Sequence, residues 1–344
     1  MLTLVEYFFV PILINLMKKL FVASILLLVC ALFFSRCYLS KYVYTDNELQ
    51  EHYQFKSVKP AYKQTTYAER KVHYAVLSKS DTLPLLVMVH GAPGAWYGYM
   101  NLTDDSLLQA HFKIVAVDRL GYGKSGYGKE VLSTELQAMA IKTIIDKENG
   151  LNKKVYLVGR SYGAPIAAWL AIHYPETIEK LVMISPVIDP EKEKFYWFSN
   201  IGNSKLVQWA LPDLLNVATK EKFSHQSEMR LMLPEWKNLN TPTYVLVGEE
   251  DQVADTANYS FAKKHITSCP SVFLKLKHIG HQISYQQPAL ITQLILDETN
   301  CKSICLNDTA ICREICGHAA KVIVKESLRA ETKINSVSAS ADKN

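Results

Sequence analysis

The chain has 344 residues, 49% of them hydrophobic, and a formal net charge of +5. This length and apolar content suffice for one large domain with a substantial core, plus additions at each end. The charge excess is small and scattered, with no run of basic residues interleaved with aromatics, so we do not expect a nucleic-acid partner.

The first predicted element is an uncharged, apolar run from Leu20 to Ser35, with Lys18 and Lys19 before it and Arg36 after it. Such a run predicts a membrane-spanning signal-anchor within residues 1–41. Basic residues before the run favour a position of the following chain on the extracytoplasmic side of the membrane, which is the periplasm in a bacterium.

Alternatives for this amino-terminal segment stay open. One is a signal peptide cleaved near residues 29–31, which would release a secreted protein. Another is lipidation at Cys37, which the preceding arginine disfavours. Residues 17–19 also look like the natural start of an export signal, which leaves Met1 and Met17 as two candidate starts.

Apolar runs of strand length recur through the middle of the chain, and helical patterns lie between them. The predicted strands are residues 85–89, 113–117, 155–158, 181–184, 243–247 and 272–276, and the predicted helices are 133–146, 164–172 and 288–297. Strands that alternate with helices are typical of the α/β class. We therefore predict a mostly parallel central sheet flanked by helices.

A glycine-rich stretch from Gly121 to Gly126 has the spacing of a dinucleotide-binding loop, and its Gly-Lys-Ser also ends like a phosphate-binding loop. A phosphate-binding loop would need glycine in place of Asp118. A dinucleotide loop should run directly into a helix, whereas residues 127–132 intervene. The stretch is therefore interpreted as a turn, and the sequence predicts no cofactor.

The stretch from Gly159 to Gly163 places Ser161 between a strand pattern and a helical pattern. This is the context of a nucleophile elbow, in which a tight turn carries the reactive serine. The two glycines allow a strained backbone at the serine and let neighbouring chain pass close to it. The Ser161 hydroxyl is therefore the candidate nucleophile.

No strand pattern lies between the predicted strands at 181–184 and 243–247, and the segment is helical in character. It predicts a small helical lid at about 187–240 whose apolar underside covers an apolar substrate pocket. Alternatively, its apolar residues only fasten the lid to the body. These residues are Phe195–Phe198, Trp209–Leu211 and Leu231–Leu233.

A carboxylate and an imidazole follow Ser161 in the chain, each just past a predicted strand. Asp251 follows the strand at 243–247 and His281 follows the strand at 272–276, so a parallel sheet would bring both to the same edge. Ser161, Asp251 and His281 form a candidate catalytic triad. The alternative candidates for the acid are Glu249, Glu250, Asp255 and Asp189, and the alternative candidate for the base is His278.

On these motifs, over about residues 60–298, the chain resembles the α/β-hydrolase superfamily. The resemblance also rests on the stretches His90 to Gly94 and Asp118 to Ser125, each placed after a predicted strand. It implies a hydrolase domain at residues 42–298. It also selects Asp251 as the acid, and it selects His281, which directly follows a glycine, as the base.

The resemblance further implies a role for each site residue. Ser161 attacks the substrate, His281 acts as general base and then general acid, and Asp251 orients the imidazole. Backbone N–H groups of Ala92 and Tyr162 would form the oxyanion hole. The remaining motif residues shape these loops without being catalytic, namely His90, Gly91, Pro93, Gly94, Gly159 and Gly163.

The expected activity is hydrolysis of a carboxylic ester or thioester (EC 3.1.1) on an apolar small molecule or a lipid. A serine nucleophile excludes the branches of the superfamily that use aspartate, such as haloalkane dehalogenases and most epoxide hydrolases. The loop with Pro93 is similar to that of proline iminopeptidases, although Ala92 and Tyr162 depart from their pattern. Aminopeptidase, amidase or carbon–carbon bond hydrolysis are alternatives, and a non-catalytic binding protein is the alternative of another class.

Four cysteines follow the last predicted helix, at positions 301, 305, 312 and 316. Residues four apart share a helix face, so two short helices within 299–330 would bring Cys301 near Cys316 and Cys305 near Cys312. Two disulfides are then expected in an oxidising compartment. A four-cysteine zinc site, with His318, is the alternative in a reducing one. The polar residues 331–344 are predicted to be disordered.

Overall fold

The computed structural model describes residues 12–27, 29–30, 43–209, 211–297 and 304–305. Its strands are β1 (Ala61–Tyr67), β2 (Arg70–Leu77), β3 (Leu85–Val89), β4 (Lys113–Val117), β5 (Val155–Arg160), β6 (Ile178–Ile184), β7 (Thr243–Gly248), β8 (Ser271–Leu276) and β9 (Ile304–Cys305).

Helices connect most of these strands. In chain order they are α1 (Asp46–Tyr53), α2 (Met100–Thr103), α3 (Ser106–His111), α4 (Thr134–Glu148), α5 (Gly163–His173), α6 (Trp197–Gly202), α7 (Lys205–Gln208), α8 (Asp213–Met232), α9 (Ala257–His265), α10 (Ile283–Gln286) and α11 (Pro288–Leu296). Two short 3₁₀ helices add Trp96–Tyr99 and Leu233–Asn238.

The strands form one sheet in the order β1-β2-β4-β3-β5-β6-β7-β8-β9. Pairing is antiparallel at the β1–β2 and β2–β4 contacts and parallel from β4 to β9. The predicted mostly parallel sheet with flanking helices is therefore confirmed. The β1–β2 hairpin, which turns through Ala68 and Glu69 at positive φ, extends the sheet beyond the predicted strands.

The central strands are covered on both faces, which explains why their sequences are continuous apolar runs rather than alternating ones. All residues of β3 and β4 are buried. Against one face packs α5, in which every residue from Gly163 to Ile172 is buried. Such a fully apolar helix is expected in the interior of a large domain.

Strand register brings the ends of three strands to one point of the sheet edge. Val89, the last residue of β3, pairs with Val117 of β4 on one side and with Gly159 of β5 on the other. The loops that leave these three strands therefore start side by side. They carry His90 to Gly94, the glycine-rich turn and Ser161.

The predicted helical segment between the sixth and seventh strands is confirmed, but Trp209 and Leu231, assigned to its apolar underside, are exposed. Helices α6, α7 and α8 and the second 3₁₀ helix lie between β6 and β7. Helix α8 is the longest of these and buries Val217, Met229 and Met232. Because β6 and β7 are direct neighbours in the sheet, the whole insertion leaves and returns at adjacent positions.

At the amino terminus, residues 12–27 and 29–30 are helical and exposed. Within the described ranges, no helix combines the length and the apolar character needed to cross a bilayer. The predicted apolar run, residues 20–35, lies partly outside those ranges, as does Cys37.

At the carboxyl terminus, Cys305 lies in β9 and pairs with Phe273 of β8. The predicted helix at this cysteine is therefore wrong, since the exposed backbone edge of β8 gives Ile304 and Cys305 hydrogen-bonding partners as a strand. Cys301, Cys312 and Cys316 lie outside the described residues, together with the predicted disulfides and tail. The described chain includes free thiols at Cys30 and Cys269.

Candidate active site

Ser161 lies in a strained turn between β5 and α5, with φ of 52°. Its backbone N–H donates to the Ile184 carbonyl of the neighbouring strand at 2.9 Å. A Cβ at Gly163 would lie 2.2 Å from the Val89 carbonyl oxygen, and one at Gly159 would lie 2.6 Å from the Cα of Ala164. Both glycines are therefore required by close backbone packing around the serine.

Asp251 and His281 are in direct contact past the ends of β7 and β8. The Asp251 Oδ2 atom lies 2.8 Å from Nδ1 of His281. The other carboxylate oxygen, Oδ1, accepts the N–H groups of Val253 and Ala254, each at 2.8 Å. With the carboxylate held at both oxygens, the His281 proton belongs on Nδ1, and Nε2 is left as the basic nitrogen.

The competing acids and the competing histidine lie elsewhere. His278 is highly exposed and pairs with Glu250 at 3.1 Å. The side chains of Asp189 and Asp255 accept backbone N–H groups close to them in the chain, at Glu191 and Ala257, both at 2.9 Å. Glu249 is exposed at the surface. Of the candidate acids, the structure brings Asp251 to His281.

His90 holds the loop that contains Ala92. Its Nε2 accepts the Arg119 backbone N–H at 3.0 Å, so its proton is on Nδ1, which donates to the Gly91 carbonyl at 2.6 Å. Burial, followed by the positive charge of Arg119, keeps the pKa of His90 well below its usual range. The ring is therefore neutral and bonded at both nitrogens.

Backbone donors next to Ser161 are free for a ligand. In the described part of the chain, the N–H groups of Ala92 and Tyr162 have no protein acceptor. Ala92 is partly exposed in the loop after β3, whereas Gly91 is buried, with an ideal Cβ position 3.0 Å from the Cβ of Ser161. The absence of a side chain at Gly91 thus lets this loop approach the serine.

A buried ion pair joins this loop to the lid. Glu221 of α8 accepts from Nη1 and Nη2 of Arg119 at 2.8 and 3.0 Å, and Nη2 also donates to the Gly91 carbonyl at 3.2 Å. The Tyr122 hydroxyl donates to Glu221 at 2.6 Å. Burial and the Glu221 charge raise the pKa of Tyr122 well above its usual range, so it remains a neutral donor.

The side chain of Tyr162 points into a second polar cluster under the lid. Its hydroxyl donates to Glu193 at 2.8 Å, and Lys222 of α8 donates to the same carboxylate oxygen at 2.6 Å. The Tyr162 ring lies 4.3 Å from the His225 ring, centroid to centroid. Tyr162, the residue after Ser161, is therefore anchored to the lid by its side chain.

The glycine-rich turn surrounds a carboxylate of the protein itself. Asp118 accepts the backbone N–H groups of Trp96 at 2.8 Å and Lys124 at 2.9 Å, and it contacts Nδ1 of His73 at 2.8 Å. A Cβ at Gly123 would lie 2.2 Å from the Asp118 carboxyl carbon. The space that a phosphate would need is thus filled by the Asp118 side chain.

Ser161 and His281 line the same open cavity, which has a volume of about 760 Å³. Its wall includes the loop with Ala92, Arg160 from β5, Leu214 from the lid and Tyr44 from the segment before α1. Ser161 itself is 4% exposed, so a substrate must enter this cavity to reach the hydroxyl. Among the described residues, no cluster of three or more metal-ligating side chains is present.

Several residues of this region were not found from the sequence. The Arg119–Glu221 pair joins residues 102 positions apart, and nothing in the lid sequence distinguishes Glu221 from the other acidic residues there. Tyr44 lies well outside the motifs. Arg160 was not singled out within the stretch from Gly159 to Gly163, although a cationic side chain directly before the candidate serine was a usable signal.

Known proteins similar to this chain share its fold. Residues 84–210 match the family model described as alpha/beta hydrolase fold. The AB hydrolase superfamily protein YfhM of Bacillus subtilis (strain 168) is 23% identical, over 66% of this chain and 93% of its own. Epoxide hydrolase 4 of Mus musculus is 29% identical over 46% of each chain, so the match spans about half of that relative.

A solved structure aligns over more of the chain. That of a bacterial membrane phospholipase A covers 83% of this chain and 98% of its own, with a TM-score of 0.55 and 19% identity. The shared architecture at this low identity concerns the arrangement of the sheet and its helices.

Proposed function

Because this chain has the α/β-hydrolase fold, we propose that it is a serine hydrolase that cleaves a carboxylic ester or thioester through an acyl-enzyme. In this proposal Ser161 is the nucleophile, His281 the general base and acid, and Asp251 the orienting carboxylate. The N–H groups of Ala92 and Tyr162 form the oxyanion hole.

One observation carries the proposal. His281 is bonded through Nδ1 to a fully buried Asp251 carboxylate at 2.8 Å and shares a cavity with a serine held at positive φ. An imidazole oriented by a carboxylate, beside an otherwise weakly nucleophilic hydroxyl, is the arrangement that activates serine.

The proposed reaction has two halves. The Ser161 oxygen attacks the substrate carbonyl carbon, and its proton passes to Nε2 of His281. The negative carbonyl oxygen is held by the two backbone N–H groups until the alcohol or thiol leaves with the proton from Nε2. Water then attacks the acyl-serine in the same way, and the carboxylic acid is released as Ser161 regains its proton.

Ester chemistry is preferred over epoxide opening because of the nucleophile. Epoxide hydrolases of this fold generally use an aspartate where this chain has Ser161. Amide or carbon–carbon bond hydrolysis would use the same triad, and these activities stay as second candidates. A screen of esters, thioesters and aminoacyl amides on one enzyme preparation would rank them by kcat/KM.

The test is covalent labelling of the full chain with a fluorophosphonate probe, which reports an activated serine without knowledge of the substrate. We expect rapid labelling of the unmodified chain. Ser161→Ala and His281→Ala should abolish it, because the first removes the attacked atom and the second removes the base.

Matched controls are available within the same region. Ser227 is an exposed serine of the lid and His278 is an exposed histidine close to His281, so Ser227→Ala and His278→Ala should label like the unmodified chain. A folded protein that does not label would refute the proposal and favour a binding function. Labelling that survives Ser161→Ala would refute Ser161 as the nucleophile.

We also propose that the amino-terminal segment attaches the protein to a membrane with the catalytic domain on the extracytoplasmic side. The apolar run from Leu20 to Ser35 and the lysines before it support this. Carbonate extraction and protease protection of membranes carrying the full chain test it. Release of the unmodified chain by carbonate, or Leu26→Lys leaving its membrane fraction unaltered, would contradict the proposal.

A further inference from the structure

Arg160 is the last residue of β5 and directly precedes Ser161. Its guanidinium lines the cavity that contains Ser161 and His281. Arg160 is held in the strand and Ser161 begins the tight turn that follows, so the backbone positions of the two residues are fixed relative to each other.

Neutral groups surround the Arg160 guanidinium. Nη1 donates to Ser284 Oγ at 3.0 Å and to the Gly98 carbonyl at 3.4 Å. The guanidinium carbon lies 5.5 Å from the Tyr99 ring centroid and 5.4 Å from that of Tyr285. Contacts of this kind hold a planar cation in place without neutralising its charge.

A carboxylate partner for Arg160 is missing from the described residues. By contrast, Arg119 pairs with Glu221 at 2.8 Å and Arg230 with Glu191 at 3.0 Å. The Nε and Nη2 atoms of Arg160 have no hydrogen-bond acceptor in the described chain and are not sealed from solvent. They are therefore available to a molecule in the cavity.

The charge of the cavity is one-sided. Its wall in the described chain includes no aspartate or glutamate side chain, and Arg160 is its only permanently charged residue. Gly98 contributes to this opening, because a Cβ there would lie 3.3 Å from Nη2 of Arg160. The site thus combines an aromatic surface with one unpaired cation.

We propose that the substrate is an ester that carries a second, anionic group, a carboxylate or a phosphate, and that Arg160 binds this group. A guanidinium fork matches the geometry of both oxyanions. The anion supplies the partner that the described residues do not provide for Arg160, and it fixes the ester relative to Ser161. This inference rests on the proposed serine hydrolase function.

Two pairs of esters test it on the full chain. The first is mono-p-nitrophenyl glutarate against p-nitrophenyl pentanoate, which differ by a terminal carboxylate. The second is 1-oleoyl lysophosphatidic acid against 1-monooleoylglycerol, which differ by a phosphate and distinguish a lipid source of the anion. We expect at least a tenfold higher kcat/KM for the anionic member of at least one pair.

Variants locate the preference. Arg160→Gln should lower the anionic-to-neutral ratio of kcat/KM at least tenfold, mainly through KM, and Arg160→Lys should restore part of it because the charge is kept. Arg230→Gln, which removes an exposed arginine, should leave the ratio unchanged. High salt should raise KM for the anionic ester only.

The outcomes separate this inference from the function on which it rests. Absence of fluorophosphonate labelling would overturn both. A chain that labels at Ser161 but shows no anionic preference in either pair would overturn the role of Arg160 alone. An equal loss of both rates in Arg160→Gln, with an unaltered ratio, would assign Arg160 a purely structural role and would also overturn it.

Discussion

Glu221 of the lid holds Arg119 at the edge of the central sheet through both terminal guanidinium nitrogens, at 2.8 and 3.0 Å. The Arg119 side chain is 1% exposed and that of Glu221 6% exposed, so the pair is shielded from solvent. The lid is therefore fastened to the body by a buried charge, in addition to its apolar contacts.

Removal of Glu221 should be costly for this reason. Loss of one partner of a buried pair typically costs about 3–5 kcal/mol, since the other charge is left without compensation. We expect Glu221→Ala to lower the free energy of unfolding by this amount, measured by urea denaturation. The control is Glu130→Ala, which breaks the partly exposed ion pair with Lys220 and should cost about 0–1 kcal/mol. Equal effects of the two variants would argue against the fastening role.

Asp251→Asn should lower kcat without loss of the fold. The amide can still accept the N–H groups of Val253 and Ala254 through one oxygen, but it favours the wrong tautomer of His281. The corresponding change in a well-studied serine protease lowers kcat about 10⁴-fold. Glu250→Gln, which changes the exposed carboxylate directly before Asp251, should retain full activity. Comparable activity of the two variants would assign the acid elsewhere.

Gly163 should tolerate no side chain. A Cβ there would lie 2.2 Å from the Val89 carbonyl oxygen and 2.5 Å from that of His90. Backbone atoms cannot move aside as a side chain can. Gly163→Ala should therefore lower the free energy of unfolding by about 3 kcal/mol, the upper end of the range that is typical of overpacking. Gly150→Ala is the control, because nothing lies within 4 Å of its Cβ position. Thermal unfolding of both variants measures the difference.

Stability should fall as the pH drops below about 6.5, the pKa of a histidine in the unfolded chain. Burial lowers the pKa of both His90 and His225 in the folded protein. Below about pH 6.5 the unfolded chain therefore binds more protons than the folded chain. Each of the two histidines then contributes up to about 1.4 kcal/mol per pH unit to the slope of the free energy of unfolding against pH. Above that pH the contribution is constant.

Urea denaturation at pH 5, 6, 7 and 8 measures this slope. His225→Gln should reduce the slope by up to about 1.4 kcal/mol per pH unit, which corresponds to one proton. His111→Gln, at an exposed position, should leave the slope unchanged. A free energy of unfolding that is constant from pH 5 to pH 7 would contradict the assignment of both rings as buried and neutral.

The sequence predicted the central strands because burial on both faces makes each one a continuous apolar run, as in β3 and β4. It also predicted Asp251 and His281, since a parallel sheet brings residues at strand ends to one edge. The β1–β2 hairpin was missed because its burial is uneven and its turn, Ala68-Glu69, lacks glycine.

Long-range charge pairing could not be predicted in the same way. Glu221 and Arg119 are neighbours only because the lid folds back over the sheet, and neither periodicity nor local spacing encodes that contact. That no carboxylate of the described residues pairs with Arg160 could not be predicted either, because it depends on which side chains the fold brings near it. At Cys305 the error was of another kind. The four-residue spacing of the cysteines predicted a helix, but the residue pairs as a strand with the edge of β8.

The Gly91 carbonyl and the Ala92 N–H belong to a single peptide unit, and its planarity ties their directions together. Two donors, the neutral His90 ring and the charged Arg119 side chain, converge on the oxygen of that unit. They draw electron density toward the oxygen through amide resonance, which leaves the N–H on the opposite side more positive and unable to rotate. The loop after β3 thus presents a stronger N–H donor at Ala92, and Glu221 of the lid holds the Arg119 charge that polarises this amide.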